Sequence, residues 1–196
     1  MKELEFYFDV DSPYSYLGMY KMLQIVEQYP AKIIWKPILL GGVLKSHGNS
    51  SPLEIPAKAK YSIMDIQRWS KIWEIPVTMN PFLPINTLQM MRLITAVQMY
   101  QSDRFVFVLK GIFDAMFFEP KNLNDLNVLF EVAENLELDR PLVENWLGDE
   151  KVKQHLKQAT EDAIQKGIFG APTWIIDKEM FWGVDHLFFV ESVLAK

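Results

Sequence analysis

Cysteine is absent from the 196-residue chain. That absence excludes disulfides, thiolate zinc sites, iron–sulfur clusters and any cysteine nucleophile. Histidine is scarce: His47, His155 and His186 lie far apart, without metal-ligand spacing, so no metal site is expected. No stretch approaches the roughly 18 uninterrupted apolar residues of a membrane span. At the N-terminus, Met1-Lys2-Glu3-Leu4-Glu5 puts acids where the apolar run of a signal peptide would begin. Basic residues number 20 against 25 acidic ones, a net charge of −5, which disfavours a generic nucleic-acid or anionic-membrane partner. What is present is core material: 49% of the residues are hydrophobic and 13% aromatic. At this length they suffice for one full-sized domain, or a small domain carrying an insertion. The chain reads as a soluble, cytosolic protein.

Leu4, Phe6, Phe8 and Val10 alternate with Glu3, Glu5, Tyr7 and Asp9, the period of a strand with one buried face. Ser12-Pro13 is a helix start, with Ser as N-cap and Pro at the first helical position. Apolar residues at helical spacing follow (Tyr16, Met19, Tyr20, Leu23, Val26) until Tyr29-Pro30 ends the segment. Ile33-Ile34-Trp35 is a second short strand, which completes a βαβ unit with parallel strands. A long loop is expected from about Pro37 to Pro56. From Ala57 to Lys166 the pattern is helical, and its last helix aligns Val152, Leu156, Ala159 and Ala163 on one face, with Gly167 at its end. Thr173–Ile176 and Met180–Trp182 flank a turn at Asp177-Lys178, an antiparallel hairpin. Asp185 is placed to cap a final helix bearing Leu187, Val190 and Leu194. The order βαβ, helical block, ββα makes an α/β fold: a thioredoxin-like sheet formed by residues 1–56 and 167–196, with a large all-helical insertion at 57–166.

Ser12 is the first candidate functional residue. A hydroxyl accepts one hydrogen bond while donating another. At a helix N-terminus it can accept from the helix backbone and donate to an anion that the helix dipole also favours.

Four segments jointly resemble one family: Phe6–Leu17 (FYFDVDSPYSYL), Leu39–Asn49 (LLGGVLKSHGN), Lys166–Trp174 (KGIFGAPTW) and Phe181–Leu187 (FWGVDHL). With Pro56-Ala57-Lys58 they look like the 2-hydroxychromene-2-carboxylate isomerases and the kappa-class glutathione transferases of the thioredoxin-like group. Redox members of that group carry Cys-x-x-Cys where this chain reads Ser12-Pro13-Tyr14-Ser15, so thiol–disulfide exchange is excluded. The resemblance implies that glutathione supplies the missing thiol, with Ser12 as the catalytic residue that stabilises its thiolate. It also implies a cis Ala171-Pro172 bond, with the Ala171 backbone pairing with the tripeptide as an added strand would. Asp185 would receive the γ-glutamyl ammonium, and the Val184 and Asp185 amides the carboxylate beside it. Lys58 would take the glycyl carboxylate, with Asn49 as a nearby polar contact. Two positions depart from the family pattern: Val184 replaces a small polar residue and His186 an arginine. The segment Phe82–Thr87 resembles one beside the family's substrate pocket, where an aryl-lined cleft is expected. The implied activity is a glutathione-dependent isomerisation of 2-hydroxychromene-2-carboxylate or a related aromatic-degradation intermediate, in a homodimer. A kappa-like transferase and a non-catalytic glutathione or peptide binder are the alternatives.

Overall fold

The computed structural model describes residues 1–196. The first strand, β1 (Lys2–Phe8), feeds helix α1 (Pro13–Gln28), which returns to β2 (Ala31–Pro37). These strands pair in parallel, with Leu4 opposite Ile33 and Phe6 opposite Trp35. The C-terminal strands β3 (Thr173–Ile176) and β4 (Glu179–Trp182) add antiparallel, and the sheet order is β2-β1-β3-β4. Asp177 and Lys178 join β3 to β4 with φ of 52° and 69°. Two successive left-handed residues give the hairpin turn whose twist matches that of the strands.

Helices from the middle of the chain cover this sheet. They are α2 (Leu40–Ser46), α3 (Pro56–Trp73), α4 (Leu88–Tyr100), α5 (Phe105–Phe117), α6 (Leu126–Asn135), α7 (Arg140–Gly148) and α8 (Glu150–Gln165). A last helix, α9 (Leu187–Leu194), closes the chain. Gly167, just past α8, has φ of 83°, the left-handed conformation that ends a helix cheaply only at glycine. One apolar core joins sheet and helices: Leu4, Phe6, Phe8, Trp174 and Ile176 pack in the same cluster as Met90, Leu93, Phe113 and Leu156.

Two expectations fail here, both through contacts made far along the chain. The polar positions of β1 do not all meet water. Tyr7 is buried on the second face with Ile38, Val43, Ala163 and Ile168, beneath α2 and α8. Parallel strands flanked by helices on both sides bury both faces, which weakens the alternation rule. The stretch Pro37–Pro56 is also not a simple loop, because it holds α2 and a 3-10 turn at Pro52–Glu54. Helix α2 contains Gly41-Gly42 and has no local side-chain cap. Its first amides are satisfied from far along the chain: Leu39 N–H donates to Thr160 Oγ1 (3.0 Å) and Leu40 N–H to Asp9 Oδ2 (2.9 Å).

Candidate active site

The N-terminus of α1 faces the loop that enters β3. Ser12 caps the helix as expected, its Oγ accepting from Ser15 N–H at 3.0 Å. The same hydroxyl donates to the Ala171 carbonyl at 3.3 Å, across 159 residues of sequence. Ser12 is only 6% exposed. The Ala171-Pro172 peptide is cis. Ala171 N–H donates to no group in the protein, while its carbonyl accepts from Ser12.

Pro172 links this edge to the next element, its carbonyl accepting from Gly183 N–H at 3.0 Å. Gly183 has φ of 89° and turns the chain out of β4 into a 3-10 turn, Val184–His186, that leads into α9. Within that turn the Val184 and Asp185 amides donate to nothing in the protein. Asp185 does not cap the last helix. His186 occupies the N-cap position of α9 with no side-chain cap bond, and the Asp185 carboxylate lies 3.3 Å from His186 Nδ1 instead. The extra 3-10 turn displaces the helix start by one residue, which local capping signals do not reveal. Ser12, Ala171, Pro172, Val184 and Asp185 thus form one connected rim.

No hydrogen bond joins Asn49 or Lys58 to that rim. Asn49 is exposed after α2, and its Oδ1 accepts only from Ser50 N–H at 2.9 Å. Lys58 is exposed in the first turn of α3, and its ammonium is bonded to nothing in the protein. Helix α3 is nevertheless tied to the seat. Tyr14, two residues after Ser12, donates its hydroxyl to Asp65 Oδ2 at 2.9 Å, and burial together with that carboxylate pushes the phenol up. Asp65 follows Lys58 by seven residues, about 10 Å of helix.

Several residues around the seat went unrecognised in the sequence. Asp9 sits 2% exposed beneath it, and its main-chain carbonyl accepts from Ser12 N–H at 3.1 Å. Its carboxyl takes the amides of Asp11 (3.1 Å) and Leu40 (2.9 Å). Desolvation nevertheless outweighs these bonds and raises its pKa to about 6. Burial also raises the pKa of the neighbouring Asp11. Ser15 is fully buried, and its hydroxyl has no partner. A buried acid at the polar end of a strand is a weak sequence signal, since the same pattern describes a solvent-facing Asp.

Most of the large aromatics are core, with Trp174 and Phe117 fully buried. Phe82 is 47% exposed, and its segment is pinned through Asn80 and Asn124, which donate to the carbonyls of Lys121 and Pro84. An aromatic-walled cleft of about 280 Å³ lies between α1, α3 and α9, with Trp69 and Trp73 on one side and Val184 and Asp185 on another.

A profile of the DSBA-like thioredoxin domain matches residues 3–195. The chain belongs to this family. Within it, the chain is 30% identical to the 2-hydroxychromene-2-carboxylate isomerase of Pseudomonas sp. (strain C18), over 98% of this chain and 90% of that protein. It is 25% identical to rat glutathione S-transferase kappa 1, over 98% and 91% respectively. The solved structure of a 2-hydroxychromene-2-carboxylate isomerase superposes with a TM-score of 0.85 at 27% identity, covering 98% of this chain and 94% of that one. The thioredoxin-like α/β fold and the isomerase and kappa-transferase resemblance expected from the sequence therefore both hold. These relatives support an isomerase or glutathione-related function for this member of the DSBA-like family.

Proposed function

We propose that the protein is a cytoplasmic, homodimeric, glutathione-dependent isomerase acting on 2-hydroxychromene-2-carboxylate or a related intermediate of aromatic-compound degradation. The observation that carries the reading is the Ser12 hydroxyl, buried at a helix N-terminus with its proton resting on the Ala171 carbonyl in a long, weak bond. The chain has no thiol of its own. Its rim nevertheless fits a thiol-bearing tripeptide: a hydroxyl donor, a peptide edge with a free N–H, two adjacent free amides and the Asp185 carboxylate.

When bound, glutathione supplies a thiolate nucleophile that adds reversibly to an activated double bond and is released unchanged. Ser12 turns its O–H to hold the negative sulfur while its oxygen keeps the Ser15 amide. A free thiol has a pKa of about 8.5, so lowering it by roughly 1.5 to 2 units takes about 2 to 3 kcal/mol. One charge-assisted hydrogen bond contributes about 1.5 to 3 kcal/mol and the helix end about 0.3 to 1, so no catalytic base is required. Ala171 aligns the cysteinyl backbone through its N–H and C=O. The Val184 and Asp185 amides hold the γ-glutamyl carboxylate, and the Asp185 side chain accepts from the ammonium. Lys58 takes the glycyl carboxylate, with Asn49 beside it. Fixing the cofactor at both ends leaves the sulfur the only part free to act, which is the entropic gain of positioning.

The kappa-class relatives favour a second reading, in which the same thiolate attacks an electrophile and stays attached. Incubation with 2-hydroxychromene-2-carboxylate and quantitation of glutathione separates the two. Full recovery of glutathione with rearranged substrate is the expected result, and stoichiometric consumption means transfer. Turnover at the same rate without glutathione would overturn the proposal.

A further inference from the structure

The cleft between α1, α3 and α9 contains a cation that none of the roles above uses. Lys21, Ile25, Trp69, Trp73, Val184 and Asp185 line it, together with the start of α9 and Glu191. Lys21 is half-buried there, yet its ammonium makes no hydrogen bond and no ion pair within the protein. Glu191 likewise has no partner for its carboxylate.

The position of Lys21 follows from the helix. Gly18, Lys21 and Ile25 are spaced i, i+3 and i+7, so they share one face of α1. That face touches the peptide edge, because a Cβ at Gly18 would lie 3.6 Å from Pro172 Cγ. Lys21 is therefore one turn further along the same face from the Pro172 contact, on the side where Val184 and Asp185 follow from Gly183. Its Cα lies about 13 Å of helix rise from Ser12. Lysine side chains tilt back toward the helix N-terminus, which shortens this span. An extended pair of residues covers about 7 Å, the scale of a γ-glutamyl-cysteinyl unit whose sulfur is at Ser12.

We propose that Lys21 is a specificity-determining residue: it pairs with the α-carboxylate of the γ-glutamyl group, in a cleft whose charges complement a zwitterion. The Val184 and Asp185 amides receive that carboxylate from one side and the Lys21 ammonium from the other. Asp185 and Glu191 flank the α-ammonium, and the Trp69 and Trp73 indoles form the apolar wall that strengthens these charge contacts by excluding water. Lys21 thereby supplies positive charge at the end of the site where His186 turns toward Asp185. The inference rests on the glutathione reading, which its test keeps separate.

Calorimetric titration of the wild-type protein, Lys21→Met and Lys21→Arg is run with two ligands: glutathione, and a glutathione analogue whose γ-glutamyl α-carboxylate is a carboxamide. The wild type should lose about tenfold or more in affinity on amidation, Lys21→Met should lose markedly less, and Lys21→Arg should behave as the wild type. An equal amidation loss in the wild type and Lys21→Met would overturn the role of Lys21 while leaving glutathione as cofactor intact. No binding of glutathione by the wild type would overturn the glutathione reading itself, and the Lys21 assignment with it.

Discussion

Replacing Ser12 by alanine removes three contacts at once, and the structure says how large each is. The cap on Ser15 N–H disappears, which costs about 0.5 to 2 kcal/mol of stability. The 3.3 Å bond to Ala171 is lost, a weak contribution at that distance. The donor to a bound thiolate is lost as well. At about 1.5 to 3 kcal/mol for a charge-assisted bond, that last change raises the bound thiol's pKa by about one unit or more. Ser12→Gly separates the effects, because glycine at an N-cap costs only a few tenths of a kcal/mol relative to serine. Thermal unfolding should therefore rank wild type, Gly variant and Ala variant in that order. Both variants should show the same displaced titration of thiolate ultraviolet absorbance for bound glutathione. An unchanged titration in a variant that still binds glutathione would refute the role given to Ser12, whatever the unfolding data show.

Asp9 gives the protein a stability term that falls with rising pH. Its folded pKa of about 6 lies above the ordinary 3.8, so folding favours the neutral acid. Its contribution is fully present below about pH 4 and is lost as pH rises through about 6, up to about 3 kcal/mol. Asp9→Asn should flatten that slope in unfolding experiments between these pH values, and a slope identical to wild type would contradict the assignment. Gly18→Ala should destabilise by about 1 to 3 kcal/mol, since its Cβ would lie 2.9 Å from Trp174 Cζ2 in a fully buried contact. A wild-type melting temperature for that variant would show that the α1–β3 packing is looser than described.

Where side chains answer to their chain neighbours, the sequence was readable. Ser12 caps α1 because its hydroxyl and the amide it bonds are three residues apart, and Gly167 ends α8 through its own φ. The β3–β4 hairpin is likewise fixed by two adjacent turn residues. Features held from a distance were not. Helix α2 starts on oxygens from Asp9 and Thr160, so its own sequence, with Gly41-Gly42, looked like loop. The burial of Tyr7 depends on α8, more than 140 residues later. Asp185 looked like a helix cap, until the 3-10 turn beginning at Gly183 moved the start of α9 past it. At the site itself, the helix-start pattern pointed to Ser12 and the resemblance supplied the Ala171-Pro172 edge. Lys21 falls outside every matched segment and Asp9 inside one without a role, because their surroundings come from α3, α9, α2 and α4.

If the proposed function holds, the 3.3 Å contact between Ser12 and Ala171 would also filter what can enter. At rest the hydroxyl proton and the carbonyl satisfy each other. A lone anion such as chloride or a simple carboxylate captures the proton only by taking it from the carbonyl, whereas an N–H can join the carbonyl at its second lone pair. A visitor carrying an anion and an amide N–H one residue apart satisfies both halves of the broken pair. On the glutathione reading, this single swap of hydrogen-bond partners would favour a cysteinyl peptide over a small stray ion.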